Sequence, residues 1–155
     1  MKLSDVLHIE NVKVPLEAQD KEEVFEELVH LAARNGFVTD ADAAIEALTE
    51  REAKATTGIG QGVAIPHGKH ATVPRLTASL GTSPGGIEFD AVDGEPVHIV
   101  FLLLAEEGNP GPHVQALATI AKLLQNPRFR QELADAPTPE AAYEVLKKHE
   151  NAPAS

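Results

Sequence analysis

The segment "GIEFDAVDGEPVHIVFLLLA", residues 86–105, contains the strongest indication of the fold. Its unbroken apolar run, residues 99–104, is typical of a strand whose two faces are both covered by other elements. Residues 86–92 form a second extended candidate, and "DG" at 93–94 is a tight-turn signal between the two. Residues 74–83 alternate apolar and polar side chains, which predicts a strand covered on one face only. We therefore expect a sheet that includes a buried strand at 96–105.

Helices are predicted on both sides of these strands along the chain. Residues 20–36 begin with an Asp N-cap candidate and end at a glycine, and residues 39–52 begin with a cap at Thr39 or Asp40. Three more helices are expected after the buried strand, at 113–126, 127–136 and 138–150. The first of these three should bury a stripe formed by Val114, Leu117, Ala121 and Leu124. This order predicts a single-domain α/β (α+β) fold with helices on both faces of a mixed sheet.

Length and composition limit the classes of function. The 155 residues suit one domain, which we place at 1–150, followed by a disordered tail at 151–155. The absence of cysteine excludes disulfides, thiolate metal ligands and a cysteine nucleophile. A net charge of −11 disfavours nucleic-acid binding and either suits a partner with a basic surface or simply aids solubility. No signal peptide or membrane-spanning run is visible, so a cytoplasmic protein that is not membrane-embedded is expected.

A histidine follows a glycine-rich segment in "GIGQGVAIPHGKH", residues 58–70. Pro66 favours an extended Ile65, so a short strand should end here and His67 should lie where strand becomes loop. Gly68 would permit an immediate turn. A neutral imidazole held in this way is a nucleophile that can accept a phosphoryl group.

The glycines before this histidine would let backbone N–H groups approach an anion closely; they are Gly58, Gly60 and Gly62. The spacing is not a dinucleotide-binding fingerprint, because no strand–turn–helix unit surrounds it in the required order. The same residues are also compatible with an ordinary surface loop.

A second histidine, His113, lies near the predicted start of a helix in "GNPGPHVQAL", residues 108–117. A helix N-terminus offers unpaired N–H groups to a phosphate, and the guanidinium of Arg51 would match phosphate oxygens. Together with His67 these residues form a plausible phosphohistidine site. His113 could equally be an ordinary helix-start residue, and a zinc site with His67 and His70 would lack any HExxH pattern.

The remaining histidines have simpler interpretations. His30 and His149 are predicted on solvated helix faces, and His98 as a hydrogen-bonded residue at the start of the buried strand. His70 is predicted to be exposed, with a position on the docking surface around His67 as the alternative.

The segment "EAKATTGIGQGVAIPHG", residues 52–68, resembles the active-site signature of type-2 enzyme IIA domains of the bacterial phosphoenolpyruvate-dependent sugar phosphotransferase system. That signature has an acidic or amide residue seven positions before an aliphatic–glycine pair, followed by aliphatic–Ala–aliphatic–Pro–His–small. Glu52, Ile59–Gly60 and residues 63–68 all comply. The similarity extends from "LSDVL", residues 3–7, to the final helix. The family it resembles is the class that includes fructose, mannitol and nitrogen-regulatory IIA domains.

This resemblance implies a role for each candidate residue. His67 would be phosphorylated, His113 would stabilise the phosphoryl group, Arg51 would lie beside the phosphate, and Thr57 would occupy a small polar position of the same loop. The family fold is a mixed, roughly five-stranded sheet between helices. An HPr-like carrier would donate the phosphoryl group, and a IIB component on a separate chain would accept it. The scheme requires no metal and no organic cofactor.

Two functions within the family stay open. The chain could be a phosphocarrier that supports uptake of a fructose-type sugar, or a regulator of the nitrogen-related branch whose phosphorylation state controls binding to target proteins. A function of another class, a metal-binding module or hydrolase that uses the histidines, is a third hypothesis.

Overall fold

The computed structural model describes residues 1–152 of the chain. After a short 3₁₀ helix, Leu3–Asp5, the elements in order are β1 (Leu7–Lys13), α1 (Lys21–Arg34), α2 (Ala41–Lys54), β2 (Gly58–Gly60), β3 (Val63–Ala64), β4 (His67–His70), β5 (Thr77–Ile87), β6 (Val97–Glu106), α3 (Pro110–Leu124), α4 (Pro127–Asp135) and α5 (Pro139–Glu150). The predicted α/β fold in one domain is confirmed, with six strands in a single mixed sheet.

Strand β6 is the centre of the sheet. It pairs antiparallel with β5, with Leu80 opposite Phe101, and parallel with β3 and β4 on its other edge. The sheet order is β1-β5-β6-β3-β2, and β4 continues along β6 after β3. β3 and β4 are separate because Pro66 lies between them and lacks an N–H, although its carbonyl still accepts a hydrogen bond from Leu103 at 2.9 Å.

The continuous apolar run of β6 is explained by helices on both faces. Ile99, Phe101 and Leu103 pack with α3, α4 and α5, whereas the alternate residues Val100, Leu102 and Leu104 pack with α1 and α2. Because successive side chains of a strand point to opposite faces, a stretch covered on both faces needs no polar side chain, and residues 99–105 of β6 contain none. Each fully buried side chain of this size stabilises the fold by about 1.5–3 kcal/mol.

The structure differs from the sequence prediction at strand β5. Residues 77–83 are all buried, so the expectation of a half-covered strand is wrong. The polar positions Thr77, Ser79 and Thr82 are small enough to be covered, and Gly81 lies under the side chain of Leu16. The second extended segment at 86–92 is also wrong beyond Ile87: residues 88–96 form a loop that contains the predicted turn at 93–94.

Helix boundaries follow the capping residues. Asp20, Asp40 and Thr138 each accept a hydrogen bond from a backbone N–H three residues later, at 2.8, 3.0 and 3.0 Å. For α3 the predicted start is wrong and the predicted buried stripe is partly confirmed. The helix begins at Pro110, not at 113. Leu124 is buried and Leu117 packs against the core, whereas Ala121 is exposed and Val114 is 60% exposed.

At the C-terminal end, Asn151 caps α5 with its backbone N–H and accepts a hydrogen bond from Lys2 Nζ at 2.5 Å. Residues 153–155 of the predicted tail lie outside the described residues. Within residues 1–152 no helix has both the length and the apolar character to cross a membrane.

Candidate functional site

A cleft of about 730 Å³ opens where the parallel strands β4 and β6 end. Its walls are one face of α2, strand β4, the loop after β6 and the start of α3. The carboxyl ends of parallel strands are where α/β folds commonly place their ligands. Three residues predicted from separate parts of the sequence line this cleft together: Arg51, His67 and His113.

His67 is the first residue of β4, so the expectation that it lies where a strand becomes a loop is wrong, and its side chain is partly exposed in the cleft. Its Nδ1 lies 2.8 Å from the carbonyl oxygen of Ile65. Since a carbonyl can only accept, Nδ1 carries the proton and donates. The Nε2 atom therefore keeps its lone pair, which makes it the nucleophilic nitrogen of this ring.

His113 lies beside this ring, on the first turn of α3. The two ring centroids are 5.4 Å apart and the ring planes make an angle of 54°. Burial lowers the pKa of His113 below its ordinary value, and repulsion from a protonated His67 and from the charge of Lys69 lowers it further. Its Nδ1 is buried and has no hydrogen-bond partner within residues 1–152.

Arg51 approaches the cleft from the last turn of α2. Its Nη1 donates to the carbonyl oxygen of Ala55 at 2.9 Å, which fixes the guanidinium and leaves further N–H donors for an anion. A guanidinium held in this way presents a planar fork to phosphate oxygens.

The start of α3 offers fewer backbone donors than the sequence suggested. Pro110 and Pro112 have no N–H, so Gly111 is the one residue of the first three helical positions with a donor. Positively charged side chains would therefore have to supply part of the interaction with an anion that the missing backbone N–H groups cannot provide. Lys69, which was not among the residues predicted from the sequence, lines the cleft two residues after His67. The signal was available, since residues two apart on a strand share a face.

Of the glycines predicted as part of a phosphate loop, Gly68 lines the cleft, whereas Gly58, Gly60 and Gly62 do not. A Cβ at Gly58 would lie 2.9 Å from Ala91, and one at Gly60 would lie 3.2 Å from the carboxylate of Asp93. Gly62, with φ +79°, forms the turn between β2 and β3. These glycines thus pack the hairpin against the 88–96 loop, next to a carboxylate that would repel a phosphate.

Gly68 has a different role from the one predicted. It lies within β4 and makes no turn. A Cβ there would be 3.2 Å from the backbone of both Ala47 and Leu48 in α2. The absence of a side chain therefore lets α2 pack directly on β4, which brings Arg51 to the cleft.

Thr57 is also outside the cleft lining. It is buried, its hydroxyl donates to Glu52 Oε1 at 2.6 Å, and its N–H donates to Glu52 Oε2 at 2.9 Å. The loop residue that the family resemblance assigns to the site is therefore held by the acidic residue that begins the signature.

The structure agrees with the predictions for two of the other histidines, His30 and His98. His30 is exposed as expected, and His98 Nδ1 lies 2.8 Å from the Ser83 carbonyl, a satisfied contact. His70 lines the cleft and lies 2.9 Å from Thr72 Oγ1. The expectation for His149 is wrong: its side chain is 9% exposed and packs on Phe129, because Glu132 of α4 accepts a hydrogen bond from its Nε2 at 2.8 Å.

Comparison with known proteins identifies the family. The protein-family model described as "Phosphoenolpyruvate-dependent sugar phosphotransferase system, EIIA 2" matches residues 5–149. The fructose-specific EIIABC component of Bacillus subtilis is 34% identical over 97% of this chain, and the match spans 24% of that longer protein. A nitrogen regulatory protein of Bradyrhizobium diazoefficiens is 36% identical, over 94% of this chain and 95% of the relative.

A solved structure supports the same family assignment. The crystal structure of nitrogen regulatory protein IIA-Ntr from Neisseria meningitidis has a TM-score of 0.85 and 32% identity, and the match covers 93% of this chain and 98% of that one. The family model spans nearly the whole described chain, and Arg51, His67 and His113, to which the resemblance assigns roles, line one cleft. The chain therefore belongs to the EIIA type-2 family of the phosphoenolpyruvate-dependent sugar phosphotransferase system and is a phosphotransfer protein.

Proposed function

We propose that this chain is a cytoplasmic phosphocarrier in which His67 Nε2 accepts a phosphoryl group from an HPr-like protein and passes it to a IIB component on a separate chain. Uptake of a fructose-type sugar is the process it would support. The observation that carries the proposal is the meeting of His67, His113 and Arg51 in one open cleft, with Nδ1 of His67 bound to a carbonyl.

The transfer is a displacement at phosphorus. The lone pair of His67 Nε2 forms a new N–P bond while the N–P bond to the donor imidazole breaks, and the donor ring recovers its lone pair. Charge on the three phosphoryl oxygens is offset by Arg51 and Lys69, and a ring N–H of His113 supplies a hydrogen bond. The second transfer repeats the displacement with the acceptor's nucleophile, so no metal is needed.

The cleft rim supports a protein partner with basic groups. The cleft is lined by three cationic side chains, Arg51, Lys54 and Lys69, and by four carboxylates, those of Glu46, Glu50, Glu106 and Glu107. Val114, on the outer face of α3, adds an exposed apolar side chain close to His113. A partner that presents apolar and basic groups would complement this rim and place its own imidazole in line.

Similarity to nitrogen regulatory proteins favours a second candidate function, in which the phosphorylation state of His67 controls binding to a regulatory target. A phosphoryl group adds about 1.5–2 negative charges at neutral pH. Placed in a cleft already lined by four carboxylates, it would change the charge that a docking partner meets.

Labelling with phosphorylated HPr, charged from radiolabelled phosphoenolpyruvate, tests the proposal. We expect acid-labile label on the parent chain and none on His67→Ala. His113→Ala should accept label but release it slowly to an acceptor. His30→Ala, an exposed change on α1 away from the cleft, is the matched control and should label like the parent. Equal labelling of His67→Ala and the parent would refute the site assignment.

The same material separates the two functions. Transfer of label from the phosphorylated chain to a purified fructose-type IIB domain supports a transport role. Failure to transfer, together with binding of a target protein that depends on the phosphorylation state, supports the regulatory role.

A further inference from the structure

Glu52 lies next to Arg51 in α2, yet its side chain turns into the protein. Its carboxylate is 7% exposed and is fully engaged. Oε2 accepts from Lys21 Nζ at 3.0 Å and from the Thr57 N–H at 2.9 Å, and Oε1 accepts from the Thr57 hydroxyl at 2.6 Å. A buried carboxylate is costly unless its charge and lone pairs are matched, and here a cation and two further donors match them.

The cation is itself held in place. Lys21 Nζ lies 5.2 Å from the ring centroid of Phe89, which is fully buried. Thr56, before Thr57, donates its hydroxyl to the Phe89 carbonyl at 2.7 Å. The Lys21–Glu52 ion pair and the Thr56–Thr57 segment bound to it are therefore held in place by contacts with Phe89 of the 88–96 loop.

From Thr57 a short series of hydrogen bonds leads to the nucleophile. The Thr57 carbonyl accepts from the Ile65 N–H at 3.0 Å. The Ile65 carbonyl in turn accepts from His67 Nδ1 at 2.8 Å. The position of this last carbonyl decides which nitrogen of the ring carries the proton, because the tautomer follows the hydrogen bond that the other nitrogen makes.

We propose that Glu52 is a positioning residue for His67: by anchoring Thr57 it fixes the Ile65 carbonyl, and that carbonyl holds His67 in the tautomer with a free Nε2. The consequence for phosphoryl transfer rests on the proposed function of His67, whereas the consequence for the tautomer does not. Glu52 does not line the cleft and acts through Thr57 and Ile65.

The test compares Glu52→Gln and Thr57→Val with Thr57→Ser, which keeps the hydroxyl. Glu22→Gln is the matched control, since Glu22 is an exposed carboxylate in the first turn of α1, next to Lys21. The tautomer of His67 is read from the ¹⁵N chemical shifts of its ring nitrogens at about pH 9, well above the ordinary pKa of imidazole. Single-turnover labelling by phosphorylated HPr gives the rate constant and the half-saturating donor concentration separately.

We expect Glu52→Gln to lower the ratio of the Nδ1–H to the Nε2–H tautomer about fivefold, the bias of one net hydrogen bond. Thr57→Val should lower it less, and Thr57→Ser and Glu22→Gln should retain the parent ratio. The labelling rate constant should fall in proportion to the remaining Nδ1–H fraction, with the half-saturating donor concentration unchanged.

A ratio that stays at the parent value in both Glu52→Gln and Thr57→Val, even with a lower melting temperature, would overturn the positioning role. If Glu52→Gln does not fold, the comparison of Thr57→Val with Thr57→Ser decides by the same measure. A parent chain that takes no label while the ratio still shifts would refute the phosphocarrier proposal and leave the positioning role supported.

Discussion

Replacement of Gly68 by alanine tests how tightly α2 packs on the strand that carries His67. A Cβ at this position would lie 3.2 Å from the carbonyl carbon of Ala47 and 3.2 Å from the backbone nitrogen of Leu48. Both atoms belong to the backbone of a helix, so neither can rotate away as the end of a flexible side chain would. The helix as a whole must shift by a few tenths of an ångström, or the strand must bend.

Such overpacking costs about 1–3 kcal/mol of unfolding free energy. For a domain of this size each kcal/mol lowers the melting temperature by roughly 2–4 °C, so the clash corresponds to about 2–12 °C. Alanine also reduces the entropy of the unfolded chain relative to glycine, which returns about 0.4–1 kcal/mol. A control glycine is needed to separate the two effects.

Gly85 provides that control. It lies in the same sheet, has nothing within 4 Å of its would-be Cβ and has no positive φ. Calorimetry or chemical denaturation should therefore place Gly68→Ala below the parent and Gly85→Ala at or slightly above it, with the difference between the two variants equal to the clash. Equal stability of the two variants would refute the close approach of α2. Labelling of His67 should also slow in Gly68→Ala, because a shifted α2 would move Arg51 away from the phosphoryl group that we propose His67 carries.

Two further predictions concern stability. Burial lowers the pKa of His113 in the folded chain, so below about pH 6.5 the unfolded chain binds a proton at this residue more readily than the folded chain does. The unfolding free energy should therefore fall as the pH drops from 7 to 5. Denaturant titrations should show a smaller fall for His113→Gln than for the parent, and an equal fall would contradict a lowered pKa. Thr138→Ala removes the side-chain cap of α5, which accepts from the Ala141 N–H at 3.0 Å, and should lower the unfolding free energy by about 1 kcal/mol. Thr138→Ser keeps the acceptor and should stay near the parent value; a loss as large as that of alanine would show that the cap is not the cause.

Local signals in the sequence predicted the elements well where the deciding residue is close in sequence. The caps at Asp20, Asp40 and Thr138 each bond to a residue three positions away, so their effect can be read from a short window. The apolar run of β6 likewise carries its own evidence of burial on both faces.

The errors arise where the deciding neighbour is distant. Gly58 is needed because Ala91 lies against it, and Gly68 because α2 crosses it, and no spacing rule reveals either approach. The burial of His149 depends on Glu132 and Phe129, which reach it from another helix. Residue type, local context and the family resemblance identified Arg51, His67 and His113 from the sequence. Only the structure shows how close these three residues lie to one another.

The cleft draws its groups from both sides of the sheet. Arg51 belongs to the α1–α2 side and His113 to the α3–α5 side, and the two cores are separate apolar clusters divided by the strands. Phosphoryl chemistry would thus require both halves of the hydrophobic interior to be intact at once. Partial opening of either helical layer would dismantle the reactive centre while most of the secondary structure survived, so activity would be lost before circular dichroism registered unfolding.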